Sequence, residues 1–204
     1  GKGMAASTAD IVAVIQAVAT AIDEELEPEE IAEIAAGIEP TDGIFYPGIV
    51  QMNYMTGELI KSYGNAPKMI IAMFDMGGSI NTVEFHSEYH GHEDSPKELL
   101  EAIDKLDVDF SPRQIAHVAT LSALANQKLV PKPHLEEIIK YSATLGALGV
   151  NVAHSGTMVG VLFAPDESMK HVMEAVEKIR EKFPELEYFE TERLISGGYD
   201  IEQR

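Results

Sequence analysis

Short apolar runs alternate with stretches of helical period along this chain, and that alternation confines it to a sheet covered by helices, an α+β or α/β arrangement. Ile11, Val14, Ile15, Val18 and Ile22 recur at i, i+3, i+4, i+7 and i+11, which predicts a first helix from about Thr8 to Glu25 with Ser7 or Thr8 as its N-cap. Pro28, followed by Glu29 and Glu30, opens a second helix that fades at Gly37. Ile38–Gly43 (IEPTDG) is a turn cluster. Ile44–Tyr54 and Glu58–Tyr63 read as strands joined at Met55-Thr56-Gly57. Further strands are expected at Met69–Phe74, Gly149–Ala153, Met158–Ala164 and Leu186–Leu194. Helices are expected over Pro96–Leu106, Pro112–Asn126, Pro133–Leu145 and Asp166–Phe183. The turn at Gly64-Asn65-Ala66-Pro67 divides the chain into residues 1–65 and 66–204.

Charge and cysteine content narrow the partners. The 34 acids against 15 bases give a net charge of −19, which repels phosphate backbones and anionic lipid. No nucleic acid and no membrane surface is therefore expected as a partner, and any phosphate must be held locally by amides, a lysine or a metal ion. The apolar runs are far shorter than the roughly 20 residues of a membrane span. The absence of cysteine removes disulfides, thiolate metal sites and a cysteine nucleophile, and fits a cytoplasmic protein.

Several segments could carry chemistry. Gly1-Lys2-Gly3-Met4-Ala5-Ala6-Ser7-Thr8 runs straight into the first helix. Small residues let the backbone approach an anion, and the hydroxyls of Ser7 and Thr8 sit where free N–H groups favour phosphate. The spacing is neither that of a Walker A loop nor that of a dinucleotide fingerprint, and a plain glycine-rich helix cap is an equal reading. Asp42 could accept a proton from a hydroxyl or hold a metal; alone, it reads more simply as a turn aspartate. His154–Thr157, between two apolar runs, could aim amides at a phosphate or simply join a hairpin. Asp75–Thr82 ends an apolar strand in an acid and two glycines, and His86, His90 and His92 lie among acids without a recognised zinc spacing.

Taken together and in this order, the segments GKGMAASTADI, IEPTDG, DMGG…NT and GVNVAHSGTMVG resemble the GHMP kinase superfamily, and within it the L-threonine kinase branch tied to cobalamin assembly and propanediol utilisation. The family's phosphate loop reads P-x-x-x-G-L-G-S-S-A-A, against which Gly3–Ala9 aligns with Ala5 at a glycine and Ala6 at a serine. The resemblance implies a two-domain α+β fold. Residues 1–65 would be the remnant of an N-terminal ATP-binding domain, and residues 66–204 a C-terminal domain with a helix-covered, ferredoxin-like antiparallel sheet. It also implies a strand-rich region of roughly 80–100 residues ahead of Gly1. On that reading the 204 residues alone turn over poorly or not at all, and apolar surface left bare on the first helix supports a homo-oligomer.

The resemblance further implies ATP and Mg2+ as cofactors and a small alcohol or amino acid as acceptor, L-threonine first, homoserine or an isoprenoid alcohol otherwise. A non-catalytic fragment with residual nucleotide binding is the contrasting reading. By the same resemblance, Gly1, Lys2, Gly3, Met4, Ala5, Ala6, Ser7 and Thr8 wrap the ATP phosphates. Ser155, Gly156 and Thr157 lie near the transferred group. Ser7 and Glu33, seven residues before Pro40, hold magnesium, and Asp42 is the general base. The phosphate reading requires the amides of the opening loop to be open, with space between them and the His154–Thr157 bend.

Overall fold

The computed structural model describes residues 2–78 and 95–198. They fall into two compact units. The larger takes the opening segment through Met4 together with Pro67–Leu194; the smaller takes Ala5–Ala66 and the segment from Ile195. The chain thus changes unit at Ala66/Pro67, and at each end a short segment groups with the unit that its sequence neighbours do not form. Gly1, the histidines at 86, 90 and 92, and the Ser79–Thr82 part of the glycine-rich strand end lie outside the described residues.

In the larger unit, β3 (Ile70–Asp75), β4 (Gly149–Val152), β5 (Met158–Phe163) and β6 (Glu187–Arg193) form a fully antiparallel sheet of order β4-β5-β3-β6. That is the ferredoxin-like order expected. The two inner strands are the most apolar, and every residue of β5 is buried. Alternation then sets the faces: Ile70, Ala72 and Phe74 share a core with Val159, Val161 and Phe163. Helix α6 (Met169–Lys182) completes this core with Val172, Ala175, Val176 and Ile179, spaced for one helical face. Its start is fixed by Ser168, whose hydroxyl accepts from the His171 amide at 3.1 Å. Fully burying each of the valines and the isoleucine contributes about 1.5–3 kcal/mol.

The remaining helices of this unit are α3 (Lys97–Asp104, continued by a 3-10 turn), α4 (Pro112–Asn126) and α5 (Leu135–Thr144). Ser111 caps α4 by accepting from the Gln114 amide, with Pro112 at the first helical position. Helix α4 runs beside β4: Thr120 Oγ1 accepts from the Val150 amide at 2.9 Å and donates to the Ala116 carbonyl at 2.8 Å. The connection from α4 to α5 therefore passes near the β4–β5 loop.

The smaller unit contains α1 (Ala6–Ala21), α2 (Pro28–Ala36) and the antiparallel pair β1 (Ile49–Met52) and β2 (Leu59–Gly64). Glu27 and Glu30 form a reciprocal capping box on α2. Three expectations change here. The segment from Ile44 to Gly48 is not strand: Phe45 and Tyr46 are buried in the core, Tyr46 N–H donates to the Gly43 carbonyl, and Gly48 adopts φ +78°. Helix α1 begins two residues earlier than predicted, with Ala5 rather than Ser7 or Thr8 at the N-cap. It also ends earlier, where Asp23 turns left-handed. It buries Thr8, Val12, Ile15 and Ala19, and leaves Val14, Val18 and Ile22 exposed. Of the stripe that sets the helical period in sequence, only Ile15 is buried, and Val14, Val18 and Ile22 face outward. Among the described residues no helix is long and apolar enough to cross a membrane.

Candidate active site

Two sets of residues, one in each unit, carry the candidate chemistry. In the smaller unit it is the amino end of α1. Ala5 holds a left-handed φ of +52° and makes no side-chain cap. The amides of Ala6, Ser7 and Thr8 have no hydrogen-bond partner among the described residues, while the helix ladder begins at Ala9 N–H to the Ala5 carbonyl. Ala6 and Ser7 are exposed. Uncapped first-turn amides, aligned with the helix dipole, form a site for an anion.

The side chain of Thr8 is turned to the protein. It is buried, and its Oγ1 accepts from the Asp42 amide at 3.2 Å and from Thr41 Oγ1 at 3.4 Å. The buried hydroxyl ties the IEPTDG turn to the first turn of α1. The Thr41 amide in turn donates to the Tyr54 carbonyl. Asp42 is thereby held by its own backbone beside the helix end while its side chain remains exposed. Glu33 is exposed on α2.

Ala5 is the aligned position at which the family loop carries glycine, and its left-handed backbone explains why. Reversal to glycine relieves about 1–2 kcal/mol of strain against about 0.4–1 kcal/mol of added unfolded-state entropy. Ala5→Gly is expected to stabilise the protein by about 0.5–1 kcal/mol. Thermal unfolding checks this, and a lowered midpoint would show that Ala5 carries no strain.

In the larger unit the opening segment lies directly on the β4–β5 bend. The Lys2 carbonyl accepts from the amides of Thr157 at 3.0 Å and Met158 at 3.3 Å. Gly3 has φ +79°, and a Cβ there would stand 2.5 Å from Ala153 Cβ and 2.9 Å from Gly156 Cα. A Cβ on Gly156 would collide with the Lys2 carbonyl. The two glycines thus pack backbone to backbone. The space expected between Lys2-Gly3 and the bend is filled, and the open amides lie further along, from Ala6 onward.

Lys2 and Thr157 also depart from expectation. Asp75, buried at the end of β3, accepts from Lys2 Nζ at 2.8 Å, from Thr157 Oγ1 at 2.6 Å and from the Gly77 amide at 3.0 Å. These bonds, led by that from Lys2, hold the Asp75 carboxyl below its usual range, and the same contact raises Lys2. The Lys2 charge is therefore compensated within the protein, and both donors of Thr157 are engaged. Sequence reading placed Lys2 and Thr157 near the phosphates; in the structure their side chains meet on Asp75 at the bend. The amides of Ser155 and Gly156 have no partner among the described residues, and Ser155 is half-buried.

Sequence reading missed the residues behind the bend. Asn126 Nδ2 donates to the His154 carbonyl at 3.2 Å, and Lys132 Nζ to the Ala153 carbonyl at 3.0 Å. Only the flanking prolines, Pro131 and Pro133, hinted that Lys132 is rigidly mounted. Among the described residues no group of three His, Cys, Asp or Glu side chains is placed to hold a metal.

Comparison with known proteins agrees with this geometry. Residues 1–45 match the GHMP kinases N terminal domain, and residues 99–182 the GHMP kinases C terminal domain. An L-threonine kinase of Citrobacter freundii is 26% identical over 98% of this chain and 72% of its own length. One of Salmonella typhimurium is 26% identical over 79% and 55%. Among solved structures, the L. major mevalonate kinase in complex with R-mevalonate aligns with a TM-score of 0.64 at 17% identity, covering 95% of this chain and 65% of that one. A homoserine kinase from Cytophaga hutchinsonii aligns at 0.56 and 15%, covering 97% and 66%. The chain thus spans a little under two thirds of these two enzymes, which share its fold.

Proposed function

Since the chain belongs to the GHMP kinase superfamily, we propose that the protein transfers the terminal phosphoryl group of ATP to an alcohol hydroxyl, with L-threonine as the acceptor. The observation that carries the reading is the uncapped amino end of α1, with three unpartnered amides and with Asp42 tethered beside it through Thr8. The names of the two curated relatives favour L-threonine over other alcohols.

The chemistry follows from the residues. Helix amides bind the polyphosphate and offset its charge, which the acidic protein otherwise opposes. The acceptor oxygen attacks the terminal phosphorus, the bond to the bridging oxygen breaks, and ADP leaves. The hydroxyl proton passes to the Asp42 carboxylate, which also orients the attacking oxygen. The product is the O-phosphate of the acceptor.

Magnesium fits as a phosphate-borne ion. This ion commonly keeps water and substrate phosphate as most of its ligands, so one or two protein oxygens would suffice to hold it. The Ser7 hydroxyl and the Glu33 carboxylate, both exposed in the smaller unit, are the residues that would hold it. Bound there, it would neutralise charge on the phosphates.

Two measurements test the reading. ATP consumption by the full-length protein with L-threonine, L-homoserine and R-mevalonate should give the highest kcat/KM with L-threonine. A higher value with another alcohol would reassign the acceptor, and no consumption with any would remove the kinase activity. Ser7→Ala should weaken ATP binding about tenfold at limiting magnesium, the scale of one lost charge-assisted contact. Equal affinity for the two proteins would clear Ser7 of that role.

A further inference from the structure

Lys132 is buried, 4% exposed, and no carboxylate pairs with it among the described residues. Its backbone is fixed at both polar atoms by one side chain: Gln127 Oε1 accepts from the Lys132 amide at 2.6 Å, and Gln127 Nε2 donates to its carbonyl at 3.0 Å. Prolines on both sides stiffen the mount. From it the side chain reaches the Ala153 carbonyl at 3.0 Å, and Asn126 from the end of α4 reaches the His154 carbonyl at 3.2 Å. Two consecutive carbonyls of the β4–β5 bend are thus drawn toward the α4–α5 connection. The two amides that follow, at Ser155 and Gly156, make no bond within the described protein; Gly156 is buried against Gly3, and Ser155 is half-buried.

A lone buried ammonium weakens a fold, since burial disfavours its charge and here lowers its pKa to about 8. At neutral pH it is still mostly charged. A methionine of similar length would fill the same space without that penalty. Packing therefore does not explain a lysine at this position, whereas holding the bend does.

We propose that Lys132, seconded by Asn126, is a positioning residue for phosphate binding: it holds the Ala153–His154 carbonyls back so that the Ser155 amide stays free for the nucleotide. The inference rests on the kinase reading for the identity of the ligand. The hold on the bend rests on geometry alone. The buried positive charge adds its field to that of the Ser155 amide.

Lys132→Met tests this by three readouts on the same chain. Thermal unfolding at pH 7 should show a midpoint no lower than that of the unaltered protein, because a desolvated charge has been removed. Hydrogen exchange should quicken in the peptide spanning residues 153–157 and not in α6. ATP titration should show affinity weakened about tenfold, with Lys132→Arg recovering part of it. Unchanged exchange at 153–157 together with unchanged ATP affinity would overturn the proposal. So would a lowered midpoint with exchange at the bend unaltered, which would make Lys132 a residue of the fold alone. Should Lys132→Met fail to fold, Asn126→Ala gives the answer: slower or equal exchange at the bend overturns, faster exchange with weaker ATP binding supports. An unaltered protein that does not bind ATP sinks the kinase reading, and the exchange comparison still reports whether Lys132 holds the bend.

Discussion

Gly156→Ala is expected to undock the opening segment and to abolish measurable ATP binding. The added methyl group would occupy the position of the Lys2 carbonyl and press on Gly3, so backbone, not a flexible side chain, must move. The bonds from the Thr157 and Met158 amides to that carbonyl would be lost with the displacement. Each contributes about 0.5–1.5 kcal/mol, and overpacking adds about 1–3 kcal/mol. A total of about 2–6 kcal/mol corresponds to a melting point lower by roughly 5–20 °C for a chain of this length. The functional loss is larger than the thermal one, because the bend carries the unpartnered Ser155 amide and the opening segment bonds the residues that follow it. Differential scanning fluorimetry and ATP titration check both parts. A variant with an unaltered melting point and unaltered ATP affinity would mean that the opening segment does not rest on the bend in solution.

Asp42→Asn should reduce kcat of the full-length protein by about 10²–10⁴-fold, the usual range for loss of a general base. ATP affinity should stay within about twofold, a difference of roughly 0.4 kcal/mol. The split is expected because the turn is placed by the Asp42 amide on Thr8, a main-chain contact that asparagine preserves. Asparagine keeps the shape and removes the proton acceptor. Steady-state kinetics with a parallel nucleotide titration separates the outcomes. Near-normal turnover removes Asp42 from proton transfer, and a collapse of ATP affinity with intact kcat would recast it as a ligand of the nucleotide or its metal.

Much of the architecture was readable from residue patterns, and the exceptions share a cause. Helices α2 and α4 carry a proline at the first helical position and capping side chains, and their bounds agree closely with the sequence reading. Strand β5 and, up to Asp75, strand β3 are apolar because both faces are covered, which makes them visible as runs. Ile44–Gly48 has the composition of a strand, yet Phe45 and Tyr46 are drawn together into the core of the smaller unit, which an extended segment would place on opposite faces. Helix α1 has two apolar stripes, and sequence cannot say which one another element will cover.

The candidate site was legible in its backbone features and illegible in its side-chain partnerships. A glycine-rich approach to a helix declares itself by composition. That Thr8 serves Asp42, that Asp75 claims both Lys2 and Thr157, and that Lys132 is buried under the bend all depend on contacts between residues far apart in sequence. Hydroxyl and ammonium groups near a glycine loop look alike in sequence whether they face a ligand or a neighbouring carboxylate.

The outer strands of the four-stranded sheet meet water on different terms. Strand β4 has its outward amide at Val150 satisfied by Thr120, so an incoming chain finds that donor taken. Among the described residues no strand pairs with the outer edge of β6, which carries exposed Glu187, Glu190 and Glu192 on a chain of net charge −19. A second copy aligning there would bring carboxylates within a Debye length of about 8 Å at physiological ionic strength. Self-templated growth by strand addition is opposed at one border by a hydroxyl and at the other by like charge, and only the second defence weakens as salt rises.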